Sequence, residues 1–82
     1  MDIDAVIEEL ARDERSMRFK RLKAICDHFF GQPRIRGSHH IYSTRVAEAP
    51  LVNIQNDKGK AKLYQVGQAR RVLEIVRDRG GR

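Results

Sequence analysis

The feature that most constrains the fold is an abrupt change in the spacing of apolar residues at Gly31. Before this glycine, Phe19, Leu22 and Cys26 recur at three- and four-residue steps, which is the spacing of one face of a helix. After it, Pro33 and short runs rich in β-branched and aromatic residues are typical of strands. Because the chain has only 82 residues, it is expected to hold one core in which helices cover a small sheet.

Apolar periodicity predicts three helices and three strands. The predicted helices are residues 3–11, 16–30 and 65–78, and the predicted strands are residues 32–36, 39–44 and 51–55. Ser16 is a suitable cap for the second helix and Gly31 a natural stop, while Gly80-Gly81 ends the last helix. Gly37-Ser38 predicts a tight turn, and residues 56–60 predict a second turn or loop.

The order of these elements predicts an α+β fold with a three-stranded antiparallel sheet and helices on one of its faces. The other face is then open and available for polar function. Residues 1–15 are predicted to be an acidic N-terminal helical extension that precedes the main domain, residues 16–82. This extension could pack on the domain, mediate self-association or mask a cationic surface.

Charge is distributed unevenly along the chain. Residues 1–15 hold six acids and two bases, a net charge of −4, although the whole chain carries +6. The remaining residues therefore carry +10, which favours a polyanionic partner, most simply a nucleic acid. The lone Cys26 cannot form an internal disulfide, and no apolar run approaches transmembrane length. We therefore expect a cytoplasmic protein without a membrane segment.

Strand alternation assigns faces to the histidine pair His39-His40. If Ile41 is the core residue of its strand, His39 shares its side, and His40 and Tyr42 point to the open face. This makes His40 the better candidate for proton transfer. A histidine can initiate RNA cleavage without a metal, because the ribose 2′-hydroxyl is an internal nucleophile and the imidazole can remove its proton.

Cationic side chains near the proposed sheet can hold the phosphate, and aromatic rings can stack on bases. The RNA-binding candidates are Arg34, Arg36, Tyr42, Lys58, Lys60 and Lys62. A zinc site of Cys26, His28 and the histidine pair is disfavoured, because Cys-x-His fits no common zinc spacing and Cys26 lies on an apolar stripe. We expect no metal and no cofactor.

The run Gly37-Ser38-His39-His40-Ile41-Tyr42, preceded by a basic helix and a short strand, resembles the signature of HicA-type toxins of bacterial type II toxin–antitoxin systems. The glycine, the serine, the second histidine and the following apolar residue stand as in the family motif. The resemblance extends through the strand Val52-Asn53-Ile54 and the last helix, roughly residues 16–79.

This resemblance implies a fold similar to a double-stranded-RNA-binding domain and an endoribonuclease (mRNA interferase) activity that cleaves messenger RNA. It implies that His40 is catalytic, supported by Gly37, Ser38 and His39. It also implies a cognate HicB-type antitoxin that covers the active face, and a larger toxin–antitoxin complex that binds operator DNA.

Two other classes of function stay open at this point. One is a non-catalytic RNA-binding module with the same fold. The other is a small DNA-binding or protein-interaction domain that uses the basic last helix. The histidine pair beside its glycine-serine turn favours the toxin over the DNA-binding or protein-interaction domain. Only a measurement of activity separates the toxin from the non-catalytic RNA-binding module.

Overall fold

Three helices and four strands make up the computed structural model, which describes residues 1–80. The helices are α1 (Ile3–Arg12), α2 (Phe19–Phe30) and α3 (Leu63–Asp78). The strands are β1 (Arg34–Arg36), β2 (His39–Ser43), β3 (Leu51–Asp57) and β4 (Lys60–Ala61). The predicted α+β class is confirmed, and Gly31, with φ +86°, ends α2 as expected. Gly81 lies outside the described residues.

The start of α2 differs from the prediction. Ser16 does not cap the helix; the cap position is the extended residue Arg18, which makes no capping hydrogen bond through its side chain. The backbone N–H of Phe19 instead donates to the carbonyl of Gly59 at 3.0 Å, and that of Ala61 donates to Met17 at 2.9 Å. The residues before α2 therefore pair with β4, a long-range contact that local spacing does not reveal.

The sheet is antiparallel throughout, in the order β1-β2-β3-β4. The prediction of three strands is wrong by one, because the chain turns back at Lys58 and Gly59 and β4 pairs with the end of β3. Both turn residues have positive φ, 54° and 89°, which is the left-handed conformation of a tight hairpin.

One face of the sheet and all three helices enclose the core. The strands contribute Tyr42, Val52 and Ile54, which are fully buried on the face that the helices cover. Helix α1 contributes Val6, Ile7 and Leu10 to the same cluster and packs on α3. The extension at the N-terminus is thus part of the hydrophobic core. No helix within residues 1–80 is both long enough and apolar enough to cross a membrane.

Candidate nucleic-acid interface

The turn between β1 and β2 sets the geometry of the candidate site. Gly37 adopts φ +59°, and with Ser38 it closes a two-residue hairpin, as the sequence predicted. The register that follows pairs Arg36 with His39 and Ile35 with His40. Because side chains alternate along each strand, Arg36 and His39 lie on one face of the sheet, and Ile35 and His40 lie on the other.

The face that the helices leave uncovered is called the open face below. Its residues are Arg34, Arg36, His39, Ile41, Ser43, Leu51, Asn53 and Gln55. None of these side chains is fully buried, whereas the residues between them on β2 and β3 are buried or pack against α2. The open face therefore combines two arginines, a histidine, a serine, two amide side chains and two apolar side chains.

His39 is held on the open face by its neighbour on β3. Its Nδ1 lies 2.9 Å from Oδ1 of Asn53, which pairs with Ile41 and is therefore the diagonal neighbour of His39 on β3. Since an amide oxygen only accepts hydrogen bonds, Nδ1 carries the proton, and Nε2 of the neutral ring is left as the basic nitrogen. Asn53 therefore orients the ring of His39, with Nδ1 turned toward β3.

His40 lies on the opposite face, so the prediction that it points to the open face is wrong. Its ring packs edge-on against Phe19 of α2 with 5.0 Å between ring centroids, and Ile54 is its partner on β3. Its Nδ1 is buried without a hydrogen-bond partner among residues 1–80. The physical reason is the alternation of side chains along β2: Tyr42, rather than Ile41, fills the core, and His40 shares the face of Tyr42.

Tyr42 was also predicted to face RNA, and this placement is wrong as well. The side chain is 0% exposed, and its hydroxyl donates to Oδ1 of Asp27 on α2 at 2.6 Å. Burial and the neighbouring Asp27 carboxylate raise the pKa of Tyr42. A ring enclosed in this way offers no surface to a base, so Tyr42 ties the sheet to the helical layer instead.

The predicted basic contacts form two separate groups. Arg34 and Arg36 are exposed on β1, at one edge of the sheet. The three lysines at positions 58, 60 and 62, here called the basic hairpin, lie around β4 at the opposite edge. Lys58 and Lys60 are exposed and Lys62 is half-buried. The two groups flank the open face from either side.

The charges of both groups are available to a ligand. None of these five residues pairs with a carboxylate within residues 1–80. By contrast, Arg21 of α2 is paired with Glu9, and Arg77 of α3 with Asp4. The acids of α1 therefore neutralise bases of the helical layer and leave the cations around the sheet unpaired.

Cys26 has the surroundings of a core residue. It is fully buried, and burial, reinforced by the charge of Asp27, raises the pKa of its thiol to about 12. Within residues 1–80 no three His, Cys, Asp or Glu side chains are grouped closely enough to hold a metal ion.

Sequence reasoning missed Asn53 and Tyr64. Asn53 alternates with Val52 and Ile54 on β3, and this polar interruption of an apolar strand was a signal for the open face. Tyr64, in the first turn of α3, has 67% of its surface exposed. Its position just after Lys60 and Lys62 was the available signal.

Comparison of the whole chain with protein-family models, curated proteins and solved structures finds no match.

Proposed function

We propose that this protein is a metal-independent endoribonuclease and the toxin of a type II toxin–antitoxin pair, with RNA bound across the open face. The observation that carries the proposal is the His39–Asn53 pair, whose Nδ1–Oδ1 distance is 2.9 Å, on a face flanked by unpaired cations. An open antiparallel sheet backed by helices also fits a fold of the double-stranded-RNA-binding-domain type. The resemblance of residues 37–42 to the HicA-type signature points the same way.

The proposed reaction uses the RNA's own nucleophile. Nε2 of His39 removes the proton of a ribose 2′-hydroxyl, and the oxygen attacks the adjacent phosphorus. The bond to the 5′-oxygen breaks, and that oxygen takes up a proton, leaving a 2′,3′-cyclic phosphate and a 5′-hydroxyl. Arg36, beside His39 across the β1–β2 pair, stabilises the charge that develops on the phosphate. Asn53 is a positioning residue that fixes the tautomer of His39.

Geometry favours His39 over His40 as the proton acceptor. The basic nitrogen of His39 belongs to the face that carries the arginines, whereas His40 packs against Phe19 on the helical side. The catalytic role that the family resemblance assigns to His40 stays a prediction. The two adjacent histidines provide a matched pair of variants that decides between them.

The proposal includes a partner and a location. A HicB-type antitoxin would cover the open face, including the exposed Leu51 and half-buried Ile41, and block access to His39. The pair would form the larger complex that binds operator DNA. The protein would act in the cytoplasm, where its messenger RNA substrates are.

The test is cleavage of a labelled single-stranded RNA by wild type and by the His39→Ala, His40→Ala and Asn53→Ala variants, with EDTA present. Loss of a general base costs about 10²–10⁴-fold in rate, so we expect His39→Ala to lose that much and His40→Ala far less. Asn53→Ala should change the pH profile as well as the rate. A substrate with 2′-deoxyribose at the cut site should stay intact.

A reversed ranking, with His40→Ala inactive and His39→Ala active, would return the catalytic role to His40. If EDTA stops cleavage, the metal-independent reaction is wrong. Induction in cells should arrest growth with wild type and not with the inactive variant, and co-expression of the antitoxin should restore growth.

The second candidate is a non-catalytic RNA-binding module. The unpaired cations at both edges of the sheet favour it as much as they favour the nuclease. RNA binding by the folded protein without any strand scission at stoichiometric concentration would establish it. The basic last helix is a weaker basis for a DNA-binding domain, because Arg70 and Arg77 are both paired with carboxylates.

A further inference from the structure

Tyr64 is an aromatic side chain that the fold does not use. Its 67% exposure is the largest among the exposed large apolar and aromatic residues of the described chain. The ring is not part of the core cluster, although Tyr64 lies in the first turn of α3 and the next residues, Gln65 and Val66, are buried. An exposed ring of this size is a contact surface for a ligand.

The hydroxyl of Tyr64 is linked to the open face through two glutamines. Nε2 of Gln65 lies 3.4 Å from the Tyr64 hydroxyl and 3.1 Å from Oε1 of Gln55. Oε1 of Gln65 accepts the backbone N–H of Gln55 at 2.7 Å, and Gln65 is only 2% exposed, which makes it a rigid support. Gln55 is the cross-strand partner of His39. The Gln65–Gln55 pair therefore places the start of α3, and with it Tyr64, at the end of the open face nearest His39.

Cationic residues precede this ring in the chain. The basic hairpin ends at Lys62, which is the cap residue of α3 and stands two residues before Tyr64. Backbone hydrogen bonds join Gly59 to Phe19 at 3.0 Å and Ala61 to Met17 at 2.9 Å, on either side of Lys60. An exposed aromatic ring that follows a hairpin of lysines without a carboxylate partner within residues 1–80 has the chemistry that binds single-stranded nucleic acid, since a base stacks on the ring and phosphates meet the ammonium groups.

We propose that Tyr64 is a base-stacking platform and that, with Lys60 and Lys62, it forms a second RNA subsite that holds an unpaired nucleobase next to the phosphate at His39. Only the position of the reacting phosphate rests on the proposed function, because stacking on Tyr64 does not need cleavage. The ligand class is single-stranded RNA, whose bases are unstacked and accessible, rather than a duplex whose bases are enclosed.

The test is binding of a short fluorescein-labelled single-stranded RNA, with 2′-deoxyribose at every position that the wild type cuts, followed by anisotropy. Alanine substitution of a stacking residue costs about 1–3 kcal/mol per base, or roughly 5- to 150-fold in Kd. We expect Tyr64→Ala to weaken binding within that range and Tyr64→Phe to restore it. Ile35→Ala is the matched control, because Ile35 is 57% exposed but lies away from the open face.

Intrinsic fluorescence provides a second readout. The chain has two tyrosines and no tryptophan, and Tyr42 is buried. Stacking should quench the emission of wild type when RNA is added, and Tyr64→Phe, which keeps only the buried tyrosine, should show no such quenching while binding normally. Circular dichroism of each variant verifies that the fold is unchanged.

The outcomes separate this inference from the proposed function. Normal binding and cleavage by Tyr64→Ala would overturn the stacking subsite and leave the nuclease intact. Binding that depends on Tyr64 in a protein that cleaves nothing would support the subsite and refute the nuclease. If Tyr64→Ala loses affinity for a protein partner and keeps its affinity for RNA, the ring is a protein contact and the subsite is wrong.

Discussion

At the scale of the residue, Asp27 is the group that holds α2 to β2. Its carboxylate accepts hydrogen bonds from Nζ of Lys23 at 2.8 Å and from the hydroxyl of Tyr42 at 2.6 Å. Burial opposes ionisation of this carboxyl, but the hydrogen bonds from Lys23 and Tyr42 outweigh it and hold the pKa of Asp27 below its ordinary value of 3.8. The charged form of Asp27 therefore stabilises the fold.

This arrangement predicts how stability depends on pH. Because the pKa of Asp27 is lower in the folded chain, its contribution is complete above 3.8 and is lost as the pH falls below that value through the depressed pKa. Tyr42→Phe should cost about 1.5–3 kcal/mol of unfolding free energy at pH 7, since a partly buried hydrogen bond to a charged group is removed. Asp27→Asn should be less stable at pH 7 and lose less of its stability on acidification than wild type.

Urea unfolding at pH 7 and pH 3 measures both effects. The control is Tyr64→Phe, which removes the hydroxyl of the exposed tyrosine and should leave stability nearly unchanged. Glu9, whose pKa is lowered mainly by its hydrogen bond from Arg21, retains a second acid-dependent contribution in every variant. Equal pH dependence of Asp27→Asn and wild type would show that Asp27 does not contribute through its charge.

At the scale of the element, α1 has an apolar face that packs in the core and a polar face that forms ion pairs. Its apolar face supplies Leu10, which is 0% exposed, to the core against α3. Its polar face pairs Glu9 with Arg21 and Asp4 with Arg77. The segment therefore packs on the domain, and it neutralises the outer surface of the helices rather than the cations of the sheet.

Packing of α1 predicts that Leu10→Ala destabilises the whole protein by about 2–5 kcal/mol, the usual cost of truncating a buried leucine. That is a large part of the roughly 5–15 kcal/mol that stabilises a typical domain. The matched control is the next residue, Ala11, which is exposed, so that Ala11→Gln should change little. Thermal unfolding compares the two, and equal transitions would mean that α1 is a detachable appendage.

At the scale of the whole molecule, unpaired positive charge is placed around the sheet. Residues 16–82 carry a net +10 by sequence, and the carboxylates of the helical layer pair with helical arginines such as Arg21 and Arg77. Arg34 and Arg36 on one edge and the basic hairpin on the other have no such partners within residues 1–80. A single strand lying across the open face would meet both groups.

This distribution predicts a steep salt dependence of RNA binding. Each phosphate contact on a single strand contributes about −0.7 to the slope of log K against log salt, so Arg36→Ala should reduce the slope by about that amount. Arg77→Ala, which removes a charge already paired with Asp4 and Asp78, should leave the slope unchanged. Fluorescence titrations with RNA at several salt concentrations measure this slope. A wild-type affinity that does not change with salt would contradict electrostatic binding at the sheet.

Much of the fold could be predicted because it is encoded locally. The apolar stripes of α2 and α3 are several turns long, so their existence was clear, and Gly31 and Gly37-Ser38 marked a helix end and a turn through conformational preference. Strand β4 has two residues and exists because the basic hairpin returns along β3 and meets Met17. Such a pairing leaves no periodic signal in the sequence.

The candidate site shows the same division. Composition and spacing predicted a basic protein with a histidine pair next to a glycine-serine turn, and the structure places that pair at the start of β2. Which histidine belongs to the open face depended on which set of alternating side chains of β2 faces the helices. Both choices put one large side chain, Ile41 or Tyr42, into the core, so alternation alone could not decide between them.

Neighbouring residues encode the three helices, the first three strands, the turn at Gly37 and the excess of positive charge after residue 15, so these features could be predicted. Tertiary structure decided the phase of β2. When Tyr42 faces α2, its ring is buried in the core and its hydroxyl donates a hydrogen bond to Asp27. Ile41 lies half-buried opposite Asn53 and has no polar group that needs a partner. That single choice moves His40 against Phe19 and brings His39 to the open face, because consecutive side chains of a strand point in opposite directions.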